Sequence, residues 1–279
     1  MDAAERISEH VWRLPLPSRT LPPFDHVNTY LIAADGVGAV VDPGSPDPAA
    51  LVQLRLALDE AAVRLLKAVF LTHTHRDHVD GLGAVLEACD GPTVYVHPLE
   101  AGRLPDAGRR VLLDEGRVVL VGGTGVRALH TPGHSPGHLS LVVEDDGVVL
   151  VGDLIAGEGS SWVGVPEGDV AAYLTSLERV RNLHPRLLGP GHGPVVHDPD
   201  AKLAWSAKHR LKRERQVLEA LADGIGDLER LRLRLYPDLP EAAHDLAERS
   251  LLAHLVKLMH EMKVVHLGTD SSGRYALRR

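Results

Sequence analysis

The stretch LTHTHRDHVDG, Leu71 to Gly81, sets His73, His75, Asp77 and His78 within six residues. It leaves KAVFLT (67–72), a run of apolar and β-branched residues that predicts a strand. His73 and His75 stand two apart, so on extended chain both face the same way. Asp77 and His78 follow at the start of a helical pattern over 78–88. Loops at strand ends are where a rigid scaffold presents functional groups. Imidazole and carboxylate together suit zinc and other divalent first-row ions. Packing gives no reason to crowd such groups, so the stretch predicts a metal-binding loop.

Three later stretches add donors of the same kind. HTPGHSPGH (130–138) sets His134 in a turn shaped by glycine and proline. VVLVGD (148–153) ends a predicted strand on Asp153, and GPGHGP (189–194) holds His192 in a tight turn. Glycine lets backbone approach closely at such places. His130 and His138 flank the His134 turn and are assigned to packing or to support of the ligands. Thr72 and Thr74 are expected to hold the loop by hydrogen bonds, and His97 to be structural. Asn28 either reaches the site or satisfies a turn, and His10, His26, His184 and His197 are expected on the surface. Glu158, in GEGSS (157–161), lies in a loop that shapes the substrate pocket or simply connects.

Around these motifs the first 200 residues alternate short strands, turns and a few helices. Strands are expected at 28–33, 38–42, 67–72, 93–97, 117–121, 126–130, 138–144 and 147–153, and helices at 47–62, 78–88 and 168–182. Consecutive strands outnumber helices, which argues for packed sheets with helices outside them. From Asp200 the texture changes to three helical stretches, 200–222, 226–236 and 240–262. VVHLG (264–268), a TDSSG turn (269–273) and RYALR (274–278) follow as a hairpin. Three helices and a two-stranded wing make a winged-helix pattern.

A chain of 279 residues suits one large domain with a small appendage. The single cysteine, Cys89, excludes an internal disulfide and fits a reducing cytoplasm. The N-terminal segment has charges throughout and no signal-peptide pattern, and no apolar run approaches the ~20 residues of a membrane span. Residues 1–200 carry 15 Lys and Arg against 27 Asp and Glu, whereas residues 201–279 carry 15 against 11. An acidic front half and a basic rear half suggest different tasks.

The ordered set H-x-H-x-D-H, then His134, Asp153 and His192, resembles the metallo-β-lactamase superfamily in its large hydrolase branch, over residues 28–193. The resemblance implies an α/β (α+β) fold, an αββα sandwich with its site between the sheets. Residues 1–199 would form this catalytic unit and residues 200–279 the winged-helix-like domain. It also implies two divalent metal ions, zinc first, with manganese or iron as alternatives. His73, His75 and His134 would hold one ion, Asp77, His78 and His192 the other, and Asp153 would bridge them. Asp77 would in addition orient a metal-bridging hydroxide, the nucleophile of the reaction.

GEGSSW (157–162), GPGHGPVV (189–196) and KHRLKRERQ (208–216) are similar to a narrower group, the β-lactamase-like endoribonucleases and thioesterases with a C-terminal winged helix. The activity implied is hydrolysis of an ester, thioester or phosphodiester. Single-stranded RNA is the alternative substrate, and the basic runs 208–215 and 230–234 are its motive. Glu214, Glu219 and Glu229 interrupt those runs, the front half is acidic, and aromatic stacking platforms are few, so a small-molecule ester or thioester is placed first. Two further readings stand beside these. One is a mononuclear iron persulfide dioxygenase. The other is a non-enzymatic metal sensor that binds nucleic acid through its winged helix. The appendage otherwise covers the site mouth or makes a homo-oligomer. No membrane partner is expected.

Overall fold

The computed structural model describes residues 4–105, 108–268 and 273–278, so most of the expected TDSSG turn lies outside the described residues. Its first half is two packed sheets. The larger has seven strands in chain order: β1 (Glu5–Arg6), β2 (Val11–Pro17), β3 (His26–Ala34), β4 (Val37–Val41), β5 (Leu65–Phe70), β6 (Thr93–Val96) and β7 (Arg110–Leu112). Strands β1 to β4 run antiparallel, and β4 to β7 run parallel. The connections carry α1 (Pro48–Glu60), α2 (Arg76–Val79), α3 (Leu82–Ala88) and α4 (Pro98–Ala101). The smaller sheet contains β8 (Val118–Val121), β9 (Thr124–His130), β10 (Leu139–Val143) and β11 (Val148–Gly152). Helix α5 (Val170–Arg181) then crosses over to β12 (Leu187–Pro190), which pairs parallel to β11.

Period-two alternation fixes which residues meet. Tyr30 and Ile32 of β3, Ala39 and Val41 of β4 and Phe70 of β5 face the second sheet. They pack there on Val126, Ala128, Leu139, Leu141, Val148 and Leu150. The residues between them, Leu31, Val40 and Val69, turn outward onto Leu54 and Ala57 of α1 and Leu82 and Val85 of α3. The smaller sheet does the same with Val149, Val151 and Leu188 against Val170, Tyr173, Leu177 and Val180 of α5. Each fully buried Leu or Val contributes roughly 1.5–3 kcal/mol. The result is the expected αββα sandwich.

Helix α6 (Pro199–Ala222) starts on an Asp198 side chain that accepts from the Ala201 N–H. After it come α7 (Leu228–Leu235), a single 3-10 turn at 241–243, α8 (His244–His260) and the hairpin β13 (Val264–Leu267) and β14 (Arg274–Leu277), the winged-helix order. Val217, Leu231, Leu251, Leu255, Leu258 and Tyr275 form its core. Leu203 of α6 and Ala253 of α8 instead join the cluster beneath α5, so these helices also pack on the sandwich.

Several elements differ from the sequence reading. The helix expected over 78–88 is broken at Gly81, whose N–H donates to the Pro43 carbonyl at 2.9 Å and where a Cβ would lie 2.3 Å from the Ser45 carbonyl oxygen. Strand β2 escapes the pattern because it contains Pro15 and Pro17. It tolerates them because β1 pairs with it only at Arg13 and Trp12, leaving no ladder partner on that side. The helix expected from 240 starts at 244, after Pro240 and the 3-10 turn.

Candidate metal centre

All seven residues singled out in the sequence lie at one end of the sandwich, where β5, β11 and β12 release their chains. Phe70 ends β5 just before the histidine loop, Gly152 ends β11 next to Asp153, and Pro190 ends β12 two residues before His192. The β9–β10 connection delivers His134. Ligand atoms of His73, His75 and His134 lie within 4.8 Å of one another, as do those of Asp77, His78 and His192, and those of His73, His78 and Asp153. Two glycines permit the crowding. A Cβ on Gly44 would sit 1.7 Å from the Asp77 carbonyl oxygen, and one on Gly191 would sit 2.5 Å from Asp153 Oδ1.

The outer hydrogen bonds of the histidines fix which ring nitrogen faces inward. His134 Nδ1 meets the Trp162 carbonyl at 2.8 Å and His192 Nδ1 meets the His26 carbonyl at 2.7 Å. A carbonyl only accepts, so both Nδ1 atoms carry a proton and donate. His78 Nδ1 donates to Asp42 Oδ2 at 2.9 Å, and His75 Nε2 to Glu167 Oε2 at 3.2 Å. Thr72 Oγ1 donates to Asp42 Oδ2 at 2.6 Å, which leaves it to accept from His73 Nδ1 at 3.0 Å. Each ring thus spends its outer N–H on the scaffold and turns the other nitrogen into the centre.

Those inner nitrogens crowd together without the hydrogens that would justify it. His75 Nδ1 lies 3.0 Å from His73 Nε2 and 2.9 Å from His134 Nε2. With the outer nitrogens protonated, neutral rings bring three lone pairs to one point, an arrangement that a cation satisfies. Burial, foremost, holds His73 well below the usual imidazole range and lowers His134 to about 4, so both stay neutral. On the other side His192 Nε2 lies 3.3 Å from Asp77 Oδ2 and 3.5 Å from Asp153 Oδ1, and His78 Nε2 lies 3.3 Å from Asp153 Oδ1. His78 Nε2 is buried there without a hydrogen bond. Burial lowers the His78 and His192 imidazoles, but Asp153 outweighs it and raises both, so with no ion present each carries a second proton. Burial likewise opposes ionisation of Asp77, but the hydrogen bond from protonated His192 and the nearby His78 charge bring it down to about 2. Asp153 is likewise held well below the carboxylate range, burial being outweighed by His192 and His78. The donor set, imidazole nitrogens with two ionised carboxylates, fits divalent first-row metals.

Supporting residues are where sequence reading was thinnest. Asp42, buried and with φ of 51°, accepts from the Thr72 N–H at 2.8 Å as well as from Thr72 Oγ1 and His78. In the sequence it opens a DPG stretch (42–44), and nothing local links that to a loop thirty residues on. Glu100 is fully buried and accepts from Thr74 Oγ1 and from the Gly137 N–H, tying two ligand loops together. Glu167 joins His75 to Arg103. His138 accepts from the Asp153 N–H at 3.1 Å, next to the candidate ligand carboxylate. His130 stacks on His97 at 4.3 Å. Asn28 satisfies the His192 turn by donating to the Pro190 and Gly193 carbonyls, both at 2.8 Å. His184 and His197 are exposed as expected, whereas His10 and His26 are half-buried: His10 Nδ1 meets the buried Asp146 at 2.6 Å, and the His26 main chain supplies the carbonyl that orients His192.

Comparison with known proteins agrees with this geometry. Residues 22–192 match the Metallo-beta-lactamase superfamily, and residues 230–274 match the Beta-lactamase associated winged helix domain. A beta-lactamase-like protein 2 homolog of Caenorhabditis elegans is 28% identical over 70% of this chain and 65% of its own length. An atrochrysone carboxyl ACP thioesterase of Aspergillus chevalieri is 33% identical over 70% of this chain and 60% of its own length. The match thus spans less than two thirds of either relative. A metallo-beta-lactamase family protein from Thermus thermophilus superposes with a TM-score of 0.79 at 27% identity, covering 96% of this chain and 99% of that one. The described residues contain no helix long and apolar enough to cross a membrane. Sequence match, sandwich and histidine array agree, and the chain belongs to the metallo-beta-lactamase superfamily, with a beta-lactamase-associated winged-helix domain at its C-terminal end.

Proposed function

We propose that this protein is a dinuclear-metal hydrolase of esters or thioesters. Residues 1–199 would be its catalytic unit and 200–279 its winged-helix appendage. The observation that carries the reading is the set of imidazoles whose outer nitrogens all donate to the scaffold while their inner nitrogens converge. His73, His75 and His134 would hold one ion and Asp77, His78 and His192 the other, with Asp153 between them. Zinc is the first choice on donor chemistry. Such a pair supplies Lewis acidity and a water acidified enough to be nucleophilic at neutral pH. Asp77, ionised at any ordinary pH, would orient that water.

Charge and shape favour a small ester over RNA. A cleft of about 490 Å³ runs between the His134 turn, the 165–169 segment and α8; none of the seven candidate ligands lines it, but Glu167, which bonds His75, does. Pro132, Pro136, Val165, Ala253 and Val256 give it apolar walls. The ammonium of Lys257 at its edge is already taken by Glu214 and Glu261, both at 2.6 Å. A phosphodiester backbone draws its affinity from free cations, and the catalytic half is strongly acidic. The thioesterase named among the relatives points the same way.

The test is one hydrolysis panel on metal-replete protein, covering acyl thioesters, simple esters, phosphodiesters and short single-stranded RNA, with Asp153→Ala alongside. The expected result is turnover of thioesters or esters by a protein holding two ions, abolished in Asp153→Ala. Undiminished turnover by metal-free Asp153→Ala sinks the reading, and preferential cleavage of RNA by the two-metal protein transfers it to the ribonuclease alternative.

A further inference from the structure

Arg210, midway along α6, is buried with only 5% of its surface exposed, yet it has no carboxylate partner among the described residues. Desolvating a guanidinium without an acid is costly, so its remaining contacts need an account. Its donors reach the Ser161 carbonyl and, at 3.4 Å, the Ser250 hydroxyl of α8. The guanidinium also lies over the Tyr173 ring, 5.4 Å from its centre. Tyr173 in turn backs Gly133, where a Cβ would fall 2.4 Å from the Tyr173 Cα.

Ser161 immediately precedes Trp162, the residue whose carbonyl receives the His134 Nδ1–H. Two more bonds hold this short segment, and both come from α8. The Trp162 indole N–H donates to the Leu246 carbonyl at 3.0 Å, and the Val165 N–H donates to the Arg249 carbonyl at 3.2 Å. Every one of these three anchors therefore lies beyond residue 200. The outer partners of His78 and His192, by contrast, are Asp42 and the His26 carbonyl, near the start of the chain.

We propose that Arg210 is a positioning residue for the metal centre: by holding the Ser161 carbonyl it sets the Trp162 carbonyl, which fixes the direction and tautomer of the His134 ring. The winged-helix side of the molecule thereby governs one ion position and leaves the other alone. The inference rests on the two-ion reading above. Loss of a partner that orients a ligating histidine typically costs 10–100-fold in metal affinity, and Arg210 acts one bond further out, so a drop of about tenfold is expected.

Metal-free wild type, Arg210→Met, Arg210→Lys and Trp162→Phe would be titrated with Zn²⁺ against a chromophoric chelator. Arg210→Met should weaken one of two ions about tenfold and leave the second unchanged, with Arg210→Lys intermediate. Trp162→Phe keeps the carbonyl and loses only the indole bond to α8. It should weaken the same ion, and it carries the test if Arg210→Met does not fold. In the zinc-loaded protein the His134 ring N–H signal should exchange faster with water in the variants, a change that general loosening would not confine to one histidine. Unchanged affinities, or an equal fall at both ions, overturns the proposal while leaving the metal centre intact. Wild-type protein that binds no ion through His73, His75 and His134 overturns the functional reading and this proposal together.

Discussion

Replacing Asp42 by asparagine changes one atom and tests how the centre is wired. The Asp42 carboxylate is 2% exposed and accepts three hydrogen bonds, from the Thr72 N–H, Thr72 Oγ1 and His78 Nδ1, at 2.6 to 2.9 Å. An asparagine has one acceptor atom in place of two. If its oxygen faces His78, its NH₂ points at the Thr72 N–H, donor against donor. If it is flipped, His78 Nδ1 must accept, and the ring proton moves to Nε2, where the lone pair is needed. Either way a buried donor loses its partner, which costs about 1–3 kcal/mol of stability. The second arrangement also removes a ligand, and the expected loss of metal affinity is 10–100-fold, or about 1.4–2.7 kcal/mol. Urea unfolding of the metal-free protein gives the first number and chelator competition the second. An Asp42→Asn protein that keeps wild-type stability and binds both ions with wild-type affinity would refute the reasoning, because it would mean that Asp42 does not set the His78 tautomer.

Other outcomes follow from the same coordinates. Gly44→Ala should expel the Asp77 loop from its place, since the new Cβ would lie 1.7 Å from a main-chain oxygen. The expected cost is about 1–3 kcal/mol or more in urea, with reduced metal uptake by elemental analysis. Asp146 is held below the ordinary carboxylate range, burial being outweighed by Ser8 and His10. A depressed folded pKa gives stability that is present above the unfolded value of ~3.9 and is lost as pH falls through the folded value, so Asp146→Asn should destabilise at pH 7 and progressively less as the pH is lowered below that value, read from denaturation over a pH series. Leu255→Ala empties a fully buried position in the winged-helix core and should cost about 2–5 kcal/mol in a melting or urea experiment. A shift assay over a salt series should detect no tight RNA binding even at low salt, and a steep salt dependence would restore the basic face of α6 as a nucleic-acid surface.

The seven candidate ligands could be read from the chain because each stands in a short motif where a strand ends or a glycine-rich turn begins. LTHTHRDHVDG supplies four of them in one loop. The strands could be read for the same local reason, since a short apolar, β-branched run bounded by turn residues, as in NTYLIA or HLSLVVE, is a property of neighbours. Asp42, Glu100 and Glu167 could not. Each is an acid in an ordinary turn or helix, and each acquires its task only when packing brings it to Thr72, Thr74 or His75. Arg210 is the sharpest case. In the sequence it belongs to a basic run, KHRLKRERQ, that reads as a solvated or phosphate-binding face, while in the fold it is buried behind the metal centre.

The sequence by itself determined packed sheets with helices outside them, the winged-helix order and the identity of the donors, because periodicity, turn chemistry and motif spacing act over a few residues; the αββα layering was implied by the family resemblance of the motifs. Only the tertiary structure decided which nitrogen of each histidine faces inward. A ring's tautomer is set by whatever lies on its far side. For these histidines that partner ranges from the next residue, Thr72 beside His73, to a backbone carbonyl 166 positions away, His26 beside His192.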